Sequence, residues 1–125
     1  MNSKSEIGKL GEDLACEYIK NKKFKIIERN FRKPWGELDI IAKDKEGTLV
    51  FIEVKTMRQS GNPAIAGLLP EDNLTSSKLT KLKRTAYLYA NENPKLVNDE
   101  NGWRIDLIAI AIISGIPQIK HFENL

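Results

Sequence analysis

Apolar residues near the start of the chain recur at helical spacing. Ile7, Leu10, Leu14, Tyr18 and Ile19 follow the three-to-four-residue period of an amphipathic helix, which the pattern carries to about Lys22. Ser3-Lys4-Ser5-Glu6 reads as a capping box at its start, because Ser3 and Glu6 can satisfy each other's free backbone N–H groups. Gly8, Gly11 and Ala15 lie along one side. Glycine inside a helix costs roughly 1 kcal/mol relative to alanine, so close approach to another backbone is expected along that seam, with Glu12 beside it. The period then changes. "FKIIERNFR" (24–32) alternates imperfectly and reads as a strand, 33–36 as a turn, and 37–43 with 48–56 as a hairpin. Residues 57–73 carry Gly, Pro, Ser and Asn and read as a loop; loops of that length in compact domains tend to be functional or mobile. Thr75 or Ser76 caps a second helix to about Glu92, with Leu79, Leu82, Ala86 and Tyr89 on its inner face. "WRIDLIAIAII" is a buried strand, Ser114-Gly115 a turn and "PQIKHFENL" a final strand. The order α-β-β-β-α-β-β predicts a mixed sheet flanked by helices, an α/β or α+β fold.

Composition narrows the chemistry. A chain of 125 residues with 41% hydrophobic and 30% charged positions suits one domain, 1–125, with a sizeable core, and argues against wholesale disorder. The longest apolar run, "LIAIAII" (107–113), is far too short for a bilayer. "MNSKSEIGKLGED" has no apolar stretch of the kind a secretory signal needs. A single cysteine, Cys16, and a single histidine, His121, leave no internal disulfide framework, cysteine-cluster zinc site or His-rich metal site, and fit a reducing, cytoplasmic setting. Any metal must then be hard and held by oxygen. The net charge of +3 is compatible with nucleic acid without establishing it.

The hairpin raises a sharper question, because its buried runs carry Asp39 in one strand and Glu53 and Lys55 in the other. If Lys45-Glu46-Gly47 form the loop with Gly47 left-handed, Asp44 pairs with Thr48, and counting outward sets Asp39 opposite Glu53. Opposed residues lie about 4.5–5.5 Å apart at Cβ on one face. Lys55 shares that face and Val54 points away. Two carboxylates so close need a positive charge between them, or one must hold a proton. Mg²⁺ fits, since it takes one or two carboxylates with waters and phosphate, and the Val54 carbonyl could add an oxygen. Lys55 is a competing partner, which would make Asp39–Lys55–Glu53 a structural ion triad. Glu12 could reach the metal through a water, or could be an ordinary solvent-facing helix residue.

These residues, Asp39 followed by Glu53-Val54-Lys55 on adjacent strands after a glutamate-bearing helix, resemble the PD-(D/E)xK nuclease superfamily. The wider set "GKLGEDLACEYI", "IIERNFR", "GELDIIAKD", "LVFIEVKTMR", "SKLTKLKRTAYLYA", "WRIDLIAI" and "IKHFEN" is similar to the bacterial YraN-like family of predicted endonucleases, related to archaeal Holliday-junction resolvases. Leu38 stands where the superfamily signature has proline. The resemblance implies a restriction-endonuclease-like core and metal-dependent hydrolysis of a phosphodiester. Asp39 and Glu53 would bind Mg²⁺ or Mn²⁺, Glu12 would assist through water, and Lys55 would orient the attacking water and stabilise charge on the phosphate.

Between 73 and 91 there is no acidic residue, while Lys78, Lys81, Lys83 and Arg84 are present. Lys78, Lys81 and Arg84 form a row suited to phosphate, although a solvated helix face reads the same way. Arg32, Lys33, Trp35 and Arg58 flank the proposed site in sequence, with Arg58 and Lys78 the better candidates for backbone contacts. Trp35 could stack on a base or simply pack in its turn. Asp106 interrupts a buried strand, where the resemblance also places an acid; a structural hydrogen bond or salt bridge is expected there, with a metal contact as the alternative. His121 is expected on a strand surface, and Cys16 is a small residue of the first helix. No separate base-reading module is visible, so the nucleic acid that the resemblance implies, DNA, is expected to be recognised by backbone and shape, and on the resolvase analogy symmetric two-strand cleavage would require a homodimer. The competing reading is a non-catalytic nucleic-acid-binding protein on a nuclease fold.

Overall fold

The computed structural model describes residues 4–59 and 74–125, with side chains for 6–57 and 74–125. Helix α1 (Lys4–Asn21) is followed by strands β1 (Lys25–Lys33), β2 (Gly36–Lys43) and β3 (Leu49–Gln59). Helix α2 (Ser76–Glu92), a short 3-10 turn (Pro94–Leu96), and strands β4 (Trp103–Ile113) and β5 (Ile116–Phe122) follow. The strands form a five-stranded sheet in the order β1-β2-β3-β4-β5. Neighbours are antiparallel except β3 and β4, which run parallel. This mixed sheet, in the order α-β-β-β-α-β-β, agrees with the α/β fold that the sequence pattern predicts and is consistent with the restriction-endonuclease-like core that the resemblance implies.

Each face of the sheet carries one helix. Ala15, Cys16 and Ile19 of α1 pack with Ile40, Val50, Ile52, Ile108 and Ile110; Leu82, Ala86 and Tyr89 of α2 pack with Leu38, Ile41, Phe51 and Ile105. Fully burying one such aliphatic side chain contributes about 1.5–3 kcal/mol, so these two layers hold the sheet between them. β4 is buried almost throughout, which is why its sequence is a continuous apolar run rather than an alternation. β5 lies at an edge and is exposed at most of its first positions.

Several boundaries differ from the sequence expectation. β3 runs on to Gln59, past the expected start of the loop, because it keeps pairing with β4 as far as Ile113; residues 60–73 of that loop lie outside the described residues, as does Ser3 of the capping box. The final strand stops at Phe122, after which the N–H groups of Asn124 and Leu125 are taken by the Asp106 side chain and the Ile105 carbonyl. Thr75 is the cap of α2, accepting the Lys78 N–H at 3.2 Å. Along α1 the close-approach seam is real at Gly11, where a Cβ would fall inside the Thr56 side chain of β3, but not at Gly8, where a Cβ would meet nothing within 4 Å. Leu10 is likewise exposed; the apolar stripe of α1 becomes core only from its middle turns onward.

Candidate active site

The β2–β3 loop closes as its sequence dictates. Gly47 has φ +86°, Asp44 N–H donates to the Thr48 carbonyl at 3.0 Å, and the Asp44 side chain accepts the N–H groups of Glu46 and Thr48. The ladder then pairs Lys43 with Leu49, Ile41 with Phe51 and finally Ile40 with Ile52. One step farther Asp39 stands opposite Glu53, where backbone pairing has ended. There Asp39 Oδ2 accepts the Val54 N–H at 2.8 Å, so a carboxylate replaces the backbone acceptor that β2 no longer offers. In an antiparallel ladder the N–H and C=O of one residue face the same neighbouring strand, which turns the Val54 carbonyl towards β2 as well.

Asp39 and Glu53 share a side-chain hydrogen bond, and both are pushed above the ordinary carboxylate range. Burial is the main cause for Glu53, followed by the charge of Asp39, and together they lift it to about 8. Burial also raises Asp39, against the Val54 N–H and the Glu53 hydrogen bond, which favour its charged form. The pair therefore retains a proton near neutral pH, the arrangement that close, buried carboxylates adopt when no cation separates them.

The nearby cations are not arranged as a triad would require. Lys55 is half-buried on the Glu53 face, yet among the described residues it forms no ion pair with Asp39 or Glu53. The charge of Lys78 acts on Glu53 more strongly than that of Lys55. Lys78 and Lys81 line a cleft of about 300 Å³ together with Asp39, Glu53, Glu37 and Trp35. Lys78 occupies the first turn of α2, where a capping box would place Glu or Gln and where the helix dipole disfavours a cation. Arg84 is exposed farther along α2 and is not part of the cleft wall. Arg32 is exposed on β1, and its charge acts on both Asp39 and Glu12. The Arg58 side chain lies outside the described residues.

Glu12 faces a different depression, of about 500 Å³, lined also by Lys9, Arg29, Asn30 and Arg32. Arg29 approaches it at 3.7 Å. With the Asn30 amide turned so that its nitrogen faces Glu12, Nδ2 lies 3.1 and 3.2 Å from the two carboxylate oxygens. Asn30 reaches it from a left-handed backbone position, φ +54°. Burial, then the charge of Asp39, raises the Glu12 pKa. Glu12 is thus a partly buried, hydrogen-bonded group that senses Asp39 from the α1 face, and not a solvent-facing residue.

Asp106 is fully buried, and its partners are structural. Arg104 Nε lies 3.0 Å from Oδ1, His121 Nε2 2.7 Å from Oδ2, and the Asn124 N–H 3.0 Å from Oδ1. Burial alone would raise its pKa, but the hydrogen bonds from His121, Arg104 and Asn124 hold it below the usual range. Arg104 also reaches Asp44 Oδ2 at 2.8 Å. The expectation for His121 needs correction: its side chain is 3% exposed, edge-on to Tyr18, because it shares a face of β5 with Ile119 under α1. Cys16 is buried in the α1 layer, which raises its thiol pKa.

Sequence reasoning passed over Glu37. It lines the cleft and its charge raises Asp39; the signal was the alternation in "GELD", which sets Glu37 and Asp39 two residues apart in one strand.

Among the described residues, no helix is long and apolar enough to cross a membrane. Residues 11–110 match the model of "Uncharacterised protein family UPF0102". A UPF0102 protein of Syntrophomonas wolfei is 35% identical over 119 residues, covering 95% of this chain and 96% of its own length. One from Geobacter sulfurreducens is 40% identical, covering 94% of this chain and 86% of its own. One from Alkaliphilus oremlandii is 38% identical, covering 99% and 98%. With a family match over most of its length and relatives at this identity, the chain belongs to the UPF0102 family.

Proposed function

We propose that this protein is a metal-dependent endonuclease that hydrolyses DNA phosphodiester bonds, selective for DNA structure and acting in the cytoplasm, as the resemblance to YraN-like and resolvase-type nucleases implies. The observation that carries the reading is the Asp39–Glu53 pair, proton-sharing and half-buried at the wall of a cleft that also bears Lys78 and Lys81. A proton held between two carboxylates marks a place where a small cation would be better accommodated. Among the described residues no three His, Cys, Asp or Glu side chains converge into a cage. Mg²⁺ commonly takes fewer protein ligands, completing its shell with waters and substrate phosphate. The donor set of Asp39, Glu53 and the Val54 carbonyl, all oxygen, fits Mg²⁺ or Mn²⁺.

When bound, such a metal lowers the pKa of attached water and polarises the phosphoryl oxygen. The remaining work falls to the chain. Asp39 and Glu53 supply negative charge on one side of the scissile phosphate, and the Val54 N–H fixes Asp39 in place. Lys55, unpaired with either carboxylate, is the group to orient the attacking water and to neutralise charge that grows on the phosphate during in-line attack. Lys78 and Lys81 hold the DNA backbone in the cleft, and Arg32, Arg58 and Arg84 extend the contact. Glu12, held by Arg29 and Asn30, acts on Asp39 from behind. One site cuts one strand, so paired incisions need two copies of the chain.

The test is cleavage of labelled branched, nicked, linear and single-stranded DNA with Mg²⁺, Mn²⁺ or EDTA, by wild type and Lys55→Ala. Metal-dependent cutting that Lys55→Ala abolishes is the expected result. DNA binding without cutting in any metal would leave a binding platform and sink the catalytic reading.

A further inference from the structure

Trp35 is the second residue of the two-residue turn between β1 and β2, set by the pairing of Lys33 with Gly36. Two-residue hairpins favour turns with positive φ, but neither Pro34 nor Trp35 has one. Pro34 fixes its own φ near −65°, so the indole is presented from a stiff tip. Directly behind it, a Cβ on Gly36 would fall inside the Thr85 side chain, so the turn is seated against α2. Trp35 is 43% exposed. The rings of Phe31, Phe51, Tyr89 and Trp103 meet edge-on in the core; among the described residues Trp35 has no such ring contact. It lines the cleft that holds Asp39, Glu53, Lys78 and Lys81.

That juxtaposition has the shape of one nucleotide. Carboxylates with a cation, and two lysines, suit a phosphate; a rigid exposed indole suits the base attached to it, since base–aromatic stacking needs a π-face and no particular sequence. The cleft of about 300 Å³ is at the small end of ligand pockets, about 300–1,000 Å³, the scale of a single nucleotide. Resting on the endonuclease reading above, we infer that Trp35 stacks on a single unpaired base next to the phosphate in the cleft. The substrate class is therefore DNA that already offers an unpaired nucleotide, at a branch, flap or single-stranded stretch. An intact duplex must first unstack and unpair a base, which costs a few kcal/mol.

The experiment uses a Trp103→Phe background, in which Trp35 is the sole tryptophan. Its emission is titrated with oligothymidylate and with a blunt duplex of equal length, in EDTA and again with Ca²⁺; affinities are then repeated by gel shift in Trp35→Ala and Trp35→Phe. Saturable quenching by the single strand is expected, with Trp35→Ala weakening single-strand affinity roughly 5- to 100-fold, duplex affinity changing little, and Trp35→Phe restoring most of the loss. Equal quenching by duplex, or single-strand affinity unchanged in Trp35→Ala, overturns the inference while leaving metal-dependent cutting intact. Quenching confined to single strands in a protein that cuts nothing would instead uphold the stacking and remove the endonuclease reading. Loss of binding in both Trp35 variants alongside a fall in melting temperature would assign the indole to packing and also overturn it.

Discussion

Replacing Glu53 with glutamine tests the electrostatics of the cleft without any assumption about substrate. In the folded, metal-free protein Glu53 ionises only at about 8, against an ordinary value of 4.5. Between those values the folded form keeps a proton that the unfolded chain has lost, so wild-type stability falls as pH rises through this window and levels off above it. At about 1.4 kcal/mol per pH unit the ceiling on that loss is about 5 kcal/mol. Once both carboxylates are charged they can separate and admit water, so about 2 kcal/mol is the expected net effect. Glutamine stays neutral and can still donate a hydrogen bond to Asp39. Glu53→Gln should therefore match wild type near pH 4 and exceed it by about 2 kcal/mol at pH 9, on the order of 8 °C in melting temperature for a chain of this size. The assay is thermal unfolding by circular dichroism across that range in EDTA. Added Mn²⁺ should remove most of the wild-type deficit at high pH and do little for the variant. Parallel stability curves for the two proteins, or a wild type that gains stability with pH relative to the variant, would refute the shared-proton reasoning.

Binding of Mn²⁺ near pH 7 should expel the shared proton, seen in calorimetry as a binding heat that depends on the buffer's ionisation enthalpy and disappears in Asp39→Ala. Gly11→Ala should destabilise by about 1–3 kcal/mol, because its methyl must displace Thr56, whereas Gly8→Ala should stabilise by up to about 1 kcal/mol; urea unfolding of the pair separates them. Asp106→Ala should cost about 3–5 kcal/mol by leaving Arg104 and His121 without their buried partner, while Mn²⁺ affinity of the protein that remains folded is unchanged.

Where local rules sufficed, the sequence was readable. The left-handed Gly47 and the paired Asp44 and Thr48 set the hairpin register, and the register alone placed Asp39 opposite Glu53. The start of α2 was narrowed to Thr75 or Ser76 in the same way, and the structure selects Thr75. What escaped depends on contacts between elements far apart in the chain. Gly8 and Gly11 look alike in sequence, and only the reach of β3 past α1 distinguishes them. Lys55 lies in the motif, yet Lys78, brought in by α2, has the stronger influence on Glu53. Burial of His121 depended on Tyr18 and Asp106, at positions remote from it. The imperfect alternation of β1 hid a register shift between Ile26 and Glu28 and the left-handed Asn30, which turns its amide towards Glu12.

The two carboxylates also sit on neighbouring strands of one hairpin, while the partner of β3 on its other side, β4, arrives only after α2 and must pair in parallel. Local contacts form ahead of distant ones during folding, since they close shorter loops. The repulsion between Asp39 and Glu53 thus acts on a step near the start of the search for the native state, while the larger cost, burial of Glu53, is felt later, so raising the pH should slow refolding as well as hasten unfolding. A cation that neutralises the pair would then serve the folding chain itself, by letting the β2–β3 hairpin close.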